Sequence, residues 1–453
     1  MRTGWLLALA AAGPLAAQLT LSQAVDAALK NYPAIRVSQE EVAAAAAGIQ
    51  LARTAYLPRL DALAQANRAT RNNVFGMMLP QPLNTIPTMS GPVIGTNNLG
   101  TAWGSAVGVL VSWEPFDFGL RRASVGAAAA GRARSEAALL RSQFAVAAAT
   151  ADGCVTLVAS QETVRAAQAG VDRAATVART IHALVDAQLR PGADASRADA
   201  ELAAARTQLI QAEQATDVAR ATLSRFLGGE PRQIAVAAPD LLRLPPAAAP
   251  QTLNTAANPV AVEQNAVIEL ARAELRVLER SYFPRFYLEG AAYARGTGAE
   301  LNGKNLGGLN GLAPNTQDYG LGFTVSFPAG ERPAIHAREA AQSATVRAEA
   351  ARAQQIAADL RAQWNAAVAQ LEGARRVAAN TPVEVAAARL ATEQAEARYR
   401  SGLGNIDEVA EAQRLLTQAE IDDALARLSV WRGLLAVATA AGDLQPFLAE
   451  ASR

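Results

Sequence analysis

The strongest constraint on this chain is an internal duplication. The segment Tyr56-Leu57-Pro58-Arg59-Leu60 recurs as Tyr282-Phe283-Pro284-Arg285-Phe286, 226 positions later. Further along the chain the offset falls to 213, as in the pair Asp194 and Asp407. A single deletion of about 13 residues in the second copy accounts for both offsets. The sequence is therefore that of a duplicated domain with a unit of roughly 200 residues, and not that of a short-period repeat array.

Each copy has the pattern helix, strand, loop, strand, long helix, helix. Proline cannot continue a helix, so Pro58 and Pro284 end the first helix of each copy, and period-2 alternation follows them. Pro115 and Pro328 are predicted to end the second strands. The predicted organisation begins with a signal peptide at 1–17 and a first repeat at 18–229, which has strands near 58–70 and 103–114 and helices near 119–189 and 194–228. A linker at 230–257 leads to a second repeat at 258–442, which has strands near 284–295 and 318–327 and helices near 331–402 and 407–441. The chain is predicted to end in a disordered C-terminal tail at 443–453.

The strands have features of a transmembrane β-barrel. Trp103 and Trp113 stand at the two ends of one set of alternating apolar residues, and Tyr319 and Phe327 stand at the ends of another. An apolar band between two aromatic girdles is the pattern of a transmembrane barrel strand. A soluble sandwich with aromatic core residues is the alternative. Four strands cannot close a barrel, and a sheet in lipid cannot leave an edge open, so several chains must share one barrel. Three chains would give twelve strands.

The N-terminus and the composition narrow the class. Met1 to Ala17 has a basic residue, a short apolar run and small residues, which indicates a secretory signal; a membrane anchor is the alternative, but the run is too short to span. No later stretch reaches 18 continuous apolar residues, so no spanning helix is expected. A net charge of +1 and 51% hydrophobic residues disfavour a nucleic-acid binder. Cys154 is the only cysteine, so the chain forms no internal disulfide.

The longest predicted helices cannot bury their apolar faces by themselves. Residues 119–189 contain no proline and are rich in alanine, and at about 1.5 Å per residue they would make a rod near 100 Å long. Residues 331–400 repeat the pattern, with Pro333 in the first turn and Pro382 further on. Such helices need neighbours to bury their apolar faces, either from the other repeat or from other subunits.

The chain resembles the TolC-like family of outer-membrane efflux channels over nearly its whole mature length. The resemblance rests on the order of several short motifs: Leu21-Ser22-Gln23-Ala24-Val25, Asn31-Tyr32-Pro33, the Tyr-x-Pro segments at Tyr56 and Tyr282, and Arg400-Ser401-Gly402 running on to Asp407. It implies an α+β membrane protein, with a trimeric twelve-stranded β-barrel in the outer membrane continued by a long α-helical barrel across the periplasm. It also implies a periplasmic adaptor protein, an inner-membrane pump and outer-membrane lipid as partners.

The resemblance also suggests where function lies. In the family the helix turns far from the strands form the periplasmic entrance, where acidic residues ring the pore. Here Asp407 matches a gate residue, Asp194 is its counterpart in the first copy, and the second acidic position of the family falls at Ala410, beside Glu408 and Glu411. N-capping of the following helices is the alternative role for both aspartates. The residues Arg190, Gly192, Arg400 and Gly402 are expected at the tips, where glycine permits the turn and adaptor contacts are made.

The sequence gives no sign of catalysis. His182 and His336 are isolated, and the glycines at Gly303, Gly307, Gly308 and Gly311 lie between strands and belong to an outer loop. No cofactor, metal or nucleic acid is expected. A secreted coiled-coil scaffold without a conduit is the alternative function, and within the channel class efflux of drugs or metals and secretion of proteins all remain open.

Overall fold

The same order of elements occurs in both halves of the chain. A computed structural model describes residues 19–70, 101–237, 239–246, 249–298 and 306–452, so the predicted signal segment at 1–17 lies outside the described residues. The elements are α1 (Leu21–Asn31), α2 (Pro33–Thr54), β1 (Arg59–Thr70), β2 (Thr101–Phe116), α3 (Leu120–Asp186), α4 (Gly192–Leu227), α5 (Pro259–Arg280), β3 (Arg285–Thr297), β4 (Thr316–Ser326), α6 (Arg332–Arg400), α7 (Ile406–Ala441) and α8 (Gln445–Glu450). The predicted α+β class with long helices is confirmed.

The chain divides into two compact units. One comprises Met1–Val42, Arg134–Ala266 and Glu349–Arg453, and the other comprises Ala43–Ala133 and Val267–Ala348. The first unit is helical, and its largest apolar cluster is built by α1, α3, α4 and α7 around side chains such as Leu157, Leu223 and Trp431. Glycine also lets α6 and α7 approach closely: a Cβ on Gly433 would lie 2.9 Å from the Cα of Leu371.

The linker and the C-terminal end are both packed against the helical unit. Leu19 forms a parallel bridge with Val236, and the Trp431 indole donates to the Arg243 carbonyl at 2.9 Å. The prediction of a disordered tail is wrong, because α8 forms there and Phe447 is buried edge-on against Trp431, with ring centroids 6.2 Å apart. Leu444 and Ala451 are buried as well, so apolar packing holds this short helix in place.

The second unit holds an antiparallel sheet in the order β1-β2-β3-β4. Leu60 pairs with Val111, Val111 with Gly290, and Gly290 with Leu321, so one parity of all four strands shares a face. Pro115 does not end β2, contrary to the prediction, since the strand runs to Phe116. The pairing of β2 with β3 shifts register between Trp113 and Phe116. A proline is tolerated there because the irregular position needs no ladder N–H.

Two helices of the described part of the chain, α3 and α7, are long and apolar enough to cross a membrane by length and composition. In each, at least half of the most apolar stretch is buried within the protein. A buried core helix meets the same test, and the packing of both helices accounts for their composition.

Candidate functional site

The face shared by the four strands is apolar and exposed. Tyr319 is 87% exposed and Leu321 85% exposed, although a sheet normally buries side chains of this kind. Trp113 and Phe327 are exposed at the helix-side end, and the Trp113 indole donates to the Tyr56 carbonyl at 3.1 Å. The apolar sheet face consists of Leu60, Ala62, Ala64, Val107, Val109, Val111, Trp113, Leu288, Tyr319, Leu321, Phe323 and Val325. This face needs an apolar environment.

Trp103 lies near the other end of β2, in the same register as that face. The guanidinium carbon of Arg68 is 5.5 Å from its ring centroid, and Arg68 pairs with Trp103 across β1 and β2. Three of the four predicted girdle residues are thus exposed, and Trp103 is half-buried under an arginine.

The opposite face of the sheet is polar. Asp61, Gln65 and Asn67 of β1 alternate with its apolar residues, and all three are half-buried. On β3 and β4, Arg295 forms an ion pair with Asp318 at 2.9 Å, and Thr324 donates to Glu289 at 3.4 Å. A sheet with one apolar and one polar face, both incompletely buried within the chain, is suited to lining a water-filled lumen from within lipid.

Both edges of the sheet are exposed for pairing. Within the described residues, β1 pairs only with β2, and β4 pairs only with β3. The outer edges of β1 and β4 therefore carry backbone groups that need a further strand, because such groups cannot remain unpaired in hydrocarbon.

The two long helical hairpins of the first unit meet at their turns. Tyr399, near the end of α6, donates its hydroxyl to Oδ2 of Asp194 at 2.9 Å, and its side chain is buried. The guanidinium of Arg190 lies over the Tyr399 ring at 4.3 Å and donates to the Tyr399 carbonyl. Arg190, Asp194 and Tyr399, which we call the tip latch, join the α3–α4 turn to the end of α6. Burial and the adjacent Asp194 carboxylate raise the pKa of Tyr399 to about 12, so the phenol keeps its proton.

A groove borders the tip latch. A cavity of about 480 Å³ lies between α3 and α6, with Arg173, Val177, Ile181, Tyr399 and Arg400 among its lining residues. Asp194 itself is only half-buried, so water could replace the Tyr399 hydroxyl if the bond between the two residues were broken.

The acidic residues after the second turn have arginine partners. Asp407 lies 3.4 Å from Arg197 of α4, and Glu408 lies 3.3 Å from Arg398 of α6. Glu411 is paired with Arg414 on its own helix at 2.7 Å. The Asp407 side chain is still 66% exposed, so these carboxylates form an accessible and partly neutralised group.

Neither aspartate is a helix cap, so that alternative is wrong. Asn405 caps α7, where its side chain accepts from the Glu408 amide at 2.9 Å. In the first copy, Pro191 precedes α4, and within the described residues no side chain caps this end. Both helices begin one or two residues earlier than predicted, which places Asp194 and Asp407 in the first turn. Carboxylates are favoured there by the helix dipole.

The remaining tip residues differ between the copies. Gly402 has φ +77°, as expected for a glycine that ends a helix, and the Leu403 amide donates to the Arg398 carbonyl at 2.9 Å. In the first copy Gln188 carries the left-handed conformation, with φ +61°, so the expectation that Gly192 permits this turn is wrong. Arg400 is exposed. Within the described residues its bonds are all to Glu396 of the same helix, whose carboxylate lies at 3.5 Å.

Sequence reasoning missed Tyr399 and the arginines that pair with the acids. One signal was present. At the 213 offset Tyr399 corresponds to Asp186, so an aromatic residue stands in only one copy of an otherwise repeated turn, in a chain with 5% aromatic residues. Among the described residues, no group of three or more His, Cys, Asp or Glu is placed to hold a metal ion.

Comparison with known proteins shows which proteins the chain is similar to. Residues 24–229 match the profile of the outer membrane efflux protein family. No curated protein matches the chain. Among solved structures, the chain is similar to the outer-membrane channel OprN, with 21% identity over 93% of this chain and 89% of that one and a TM-score of 0.72. It is similar to the CmeC outer membrane channel of Campylobacter jejuni, with 16% identity over 93% of this chain and 85% of that one and a TM-score of 0.74. It is also similar to CusC, whose structures describe transmembrane channel formation, with 14% identity over 94% of this chain and 93% of that one and a TM-score of 0.75. Residues 24–229 are therefore similar to the outer membrane efflux protein family, and the chain along nearly its whole length has the fold of these channels.

Proposed function

We propose that the protein is the outer-membrane channel of an efflux or secretion system. The observation that carries the proposal is the sheet, whose apolar face is exposed and whose other face is polar. Within the described residues, the outer edges of β1 and β4 have no partner strand. Three chains that pair β4 with β1 of the next would close twelve strands and leave no edge in the lipid. A scaffold without a conduit gives no reason for so large an exposed apolar face.

In this proposal the apolar sheet face contacts outer-membrane lipid. The girdle is formed by Trp113, Tyr319 and Phe327, with Trp103 towards the other end of β2. The polar face, with Asp61, Glu289 and the ion pair of Arg295 and Asp318, lines the lumen. The helices extend into the periplasm and continue the conduit.

The entrance is assigned to the helical tips. Symmetry would bring three copies of Asp407 together, and a ring of exposed carboxylates attracts cations. Asp194 serves a different purpose, because it accepts the Tyr399 hydroxyl, and the tip latch holds the two hairpins of one chain together. Opening the entrance would separate the hairpins and break the latch. Glu408 and Glu411 add negative charge that Arg398 and Arg414 partly offset.

A periplasmic adaptor is proposed to contact the tips, and the adaptor would connect the channel to an inner-membrane pump. Arg400 and Gly402 are exposed, and so is Gly192, so all three are accessible for this contact. Arg190 is committed to the tip latch, and a contact with it would compete with Tyr399. An adaptor that engages Arg190 would thus weaken the latch as it docks.

Single-channel conductance in planar bilayers tests the proposal. The purified wild type should insert and give small, cation-selective currents. Replacing Asp407 with alanine should reduce cation selectivity, and Asp194→Ala should enlarge the currents by releasing Tyr399. Arg197→Ala is the matched control for Asp407, since it removes the partner and keeps the carboxylate, and should raise cation selectivity. A protein that never inserts and remains a soluble oligomer contradicts the channel and favours the scaffold.

A further inference from the structure

The apolar sheet face ends, on the helix side, in a cluster of phenylalanines. Phe118 stacks on Phe283 with centroids 5.2 Å apart, and Phe286 lies 6.0 Å from both Phe118 and Phe323. Phe283 is exposed and so is Phe327, the residue that follows β4. Because Arg285 pairs with Ser326, the start of β3 and the end of β4 lie side by side, and the two exposed rings flank that end of the sheet.

Each of these two rings carries an arginine. The guanidinium carbon of Arg280, the last residue of α5, lies 5.9 Å from the Phe283 centroid. That of Arg332, the first residue of α6, lies 5.2 Å from the Phe327 centroid. Both arginines are exposed. A cation held over an aromatic face keeps its N–H donors in a fixed fork and directs them outward, which suits an oxyanion.

The charge around these arginines differs from that around their neighbours. Arg285 forms two bonds with Glu114, at 2.8 and 2.7 Å, and Arg59 pairs with Asp61 at 2.9 Å. Within the described residues, neither Arg280 nor Arg332 has a carboxylate oxygen within 4.0 Å. Two arginines without a carboxylate ion pair therefore lie on the segments that flank β3 and β4 where the apolar face ends.

We propose that Arg280 and Arg332 form a binding site for the headgroup of an anionic phospholipid. The two guanidinium groups would donate to the phosphodiester oxygens, and the acyl chains would lie on Phe323, Val325 and Phe327 of the apolar sheet face. Charge complementarity selects an anion, and continuity with the apolar face selects a lipid over a free ion. The inference rests on the proposed function, since that function places this face in a bilayer.

The experiment measures lipid selectivity after reconstitution. The full chain is placed in phosphatidylcholine bilayers containing brominated phosphatidylglycerol or brominated phosphatidylcholine, and quenching of tryptophan fluorescence gives their relative binding constants. Trp113, exposed on the apolar sheet face, is the reporter. We expect phosphatidylglycerol to bind more tightly, and Arg280→Gln with Arg332→Gln to remove that preference, by about five-fold per arginine. Arg59→Gln is the control, because Arg59 lies at the same end of the sheet but is paired.

The outcomes separate this inference from the proposed function. Failure of the wild type to insert contradicts the channel itself, whereas insertion without selectivity overturns only the lipid site. The lipid site is also overturned if the double variant keeps the preference for phosphatidylglycerol, or if Arg59→Gln reduces that preference as much as the double variant does. Millimolar inorganic phosphate at constant ionic strength should leave the preference unchanged; if it abolishes the preference, the site binds free phosphate. Arg280→Lys with Arg332→Lys should retain part of the selectivity, and equal melting temperatures of all variants show that folding is intact.

Discussion

Replacing Tyr399 with phenylalanine should loosen the proposed entrance without disturbing the fold. The change removes one hydroxyl, which donates to Asp194 at 2.9 Å, and keeps the ring beneath Arg190. A hydrogen bond to a charged group contributes about 1.5–3 kcal/mol. The lower end of this range applies here, because Asp194 is only half-buried and water can solvate it once the bond is lost. A loss of about 1.5 kcal/mol raises the ratio of open to closed tips roughly ten-fold per chain.

The measurement is the open probability in planar bilayers. If three chains open together, the ratio rises by about a thousand-fold, since the contributions of the three latches add as free energies. The pKa of Tyr399 gives a second test. It is raised from 10.0 to about 12, so the latch is fully present below pH 10 and is lost as the pH rises from 10 through 12. The Tyr399→Phe channel should lack this alkaline transition.

Tyr32→Phe is the matched control. Tyr32 also belongs to the helical unit, and its hydroxyl accepts from Arg225 at 3.2 Å, away from the tips. The reasoning is refuted if Tyr399→Phe leaves the open probability unchanged while the protein still inserts. It is refuted equally if Tyr32→Phe has the same effect, because the change would then reflect general loosening of the helices.

Three further predictions concern the helical unit. His182 bonds to Asp199 at 2.9 Å, and that bond raises the pKa of His182 above 6.5. The stability that the bond contributes is therefore present below pH 6.5 and is lost as the pH rises through the raised pKa. His182→Gln should remove that part of the pH dependence of the melting temperature. Burial raises the pKa of Cys154 to about 12, so maleimide labelling should require denaturant, and labelling of the native protein contradicts its packing. Gly433→Ala places a Cβ 2.9 Å from the Cα of Leu371 and should lower the free energy of unfolding by about 1–3 kcal/mol in urea titrations, whereas Gly373→Ala, which meets nothing within 4 Å, should not.

The sequence determined the features that depend on local patterns. Strand parity, helix length and the prolines before the strands at Pro58 and Pro284 could be read directly, because side-chain period and the missing proline N–H act within a few residues. The duplication predicted the same order of elements in both halves. Helix ends were less well determined: Asn405 and Asp407 are both good caps by residue type, and only two residues separate the two assignments.

Tertiary structure decided which side chains meet. Tyr399 reaches Asp194 across 205 positions, and nothing local to either residue indicates the other. The same holds for Arg197 with Asp407. At the end of the sheet, only the fold shows that Arg285 pairs with Glu114 and that Arg332 has no carboxylate partner among the described residues. Ion pairs and hydrogen bonds depend on distances of a few ångströms between distant segments, and these distances are fixed only when the helices and strands pack.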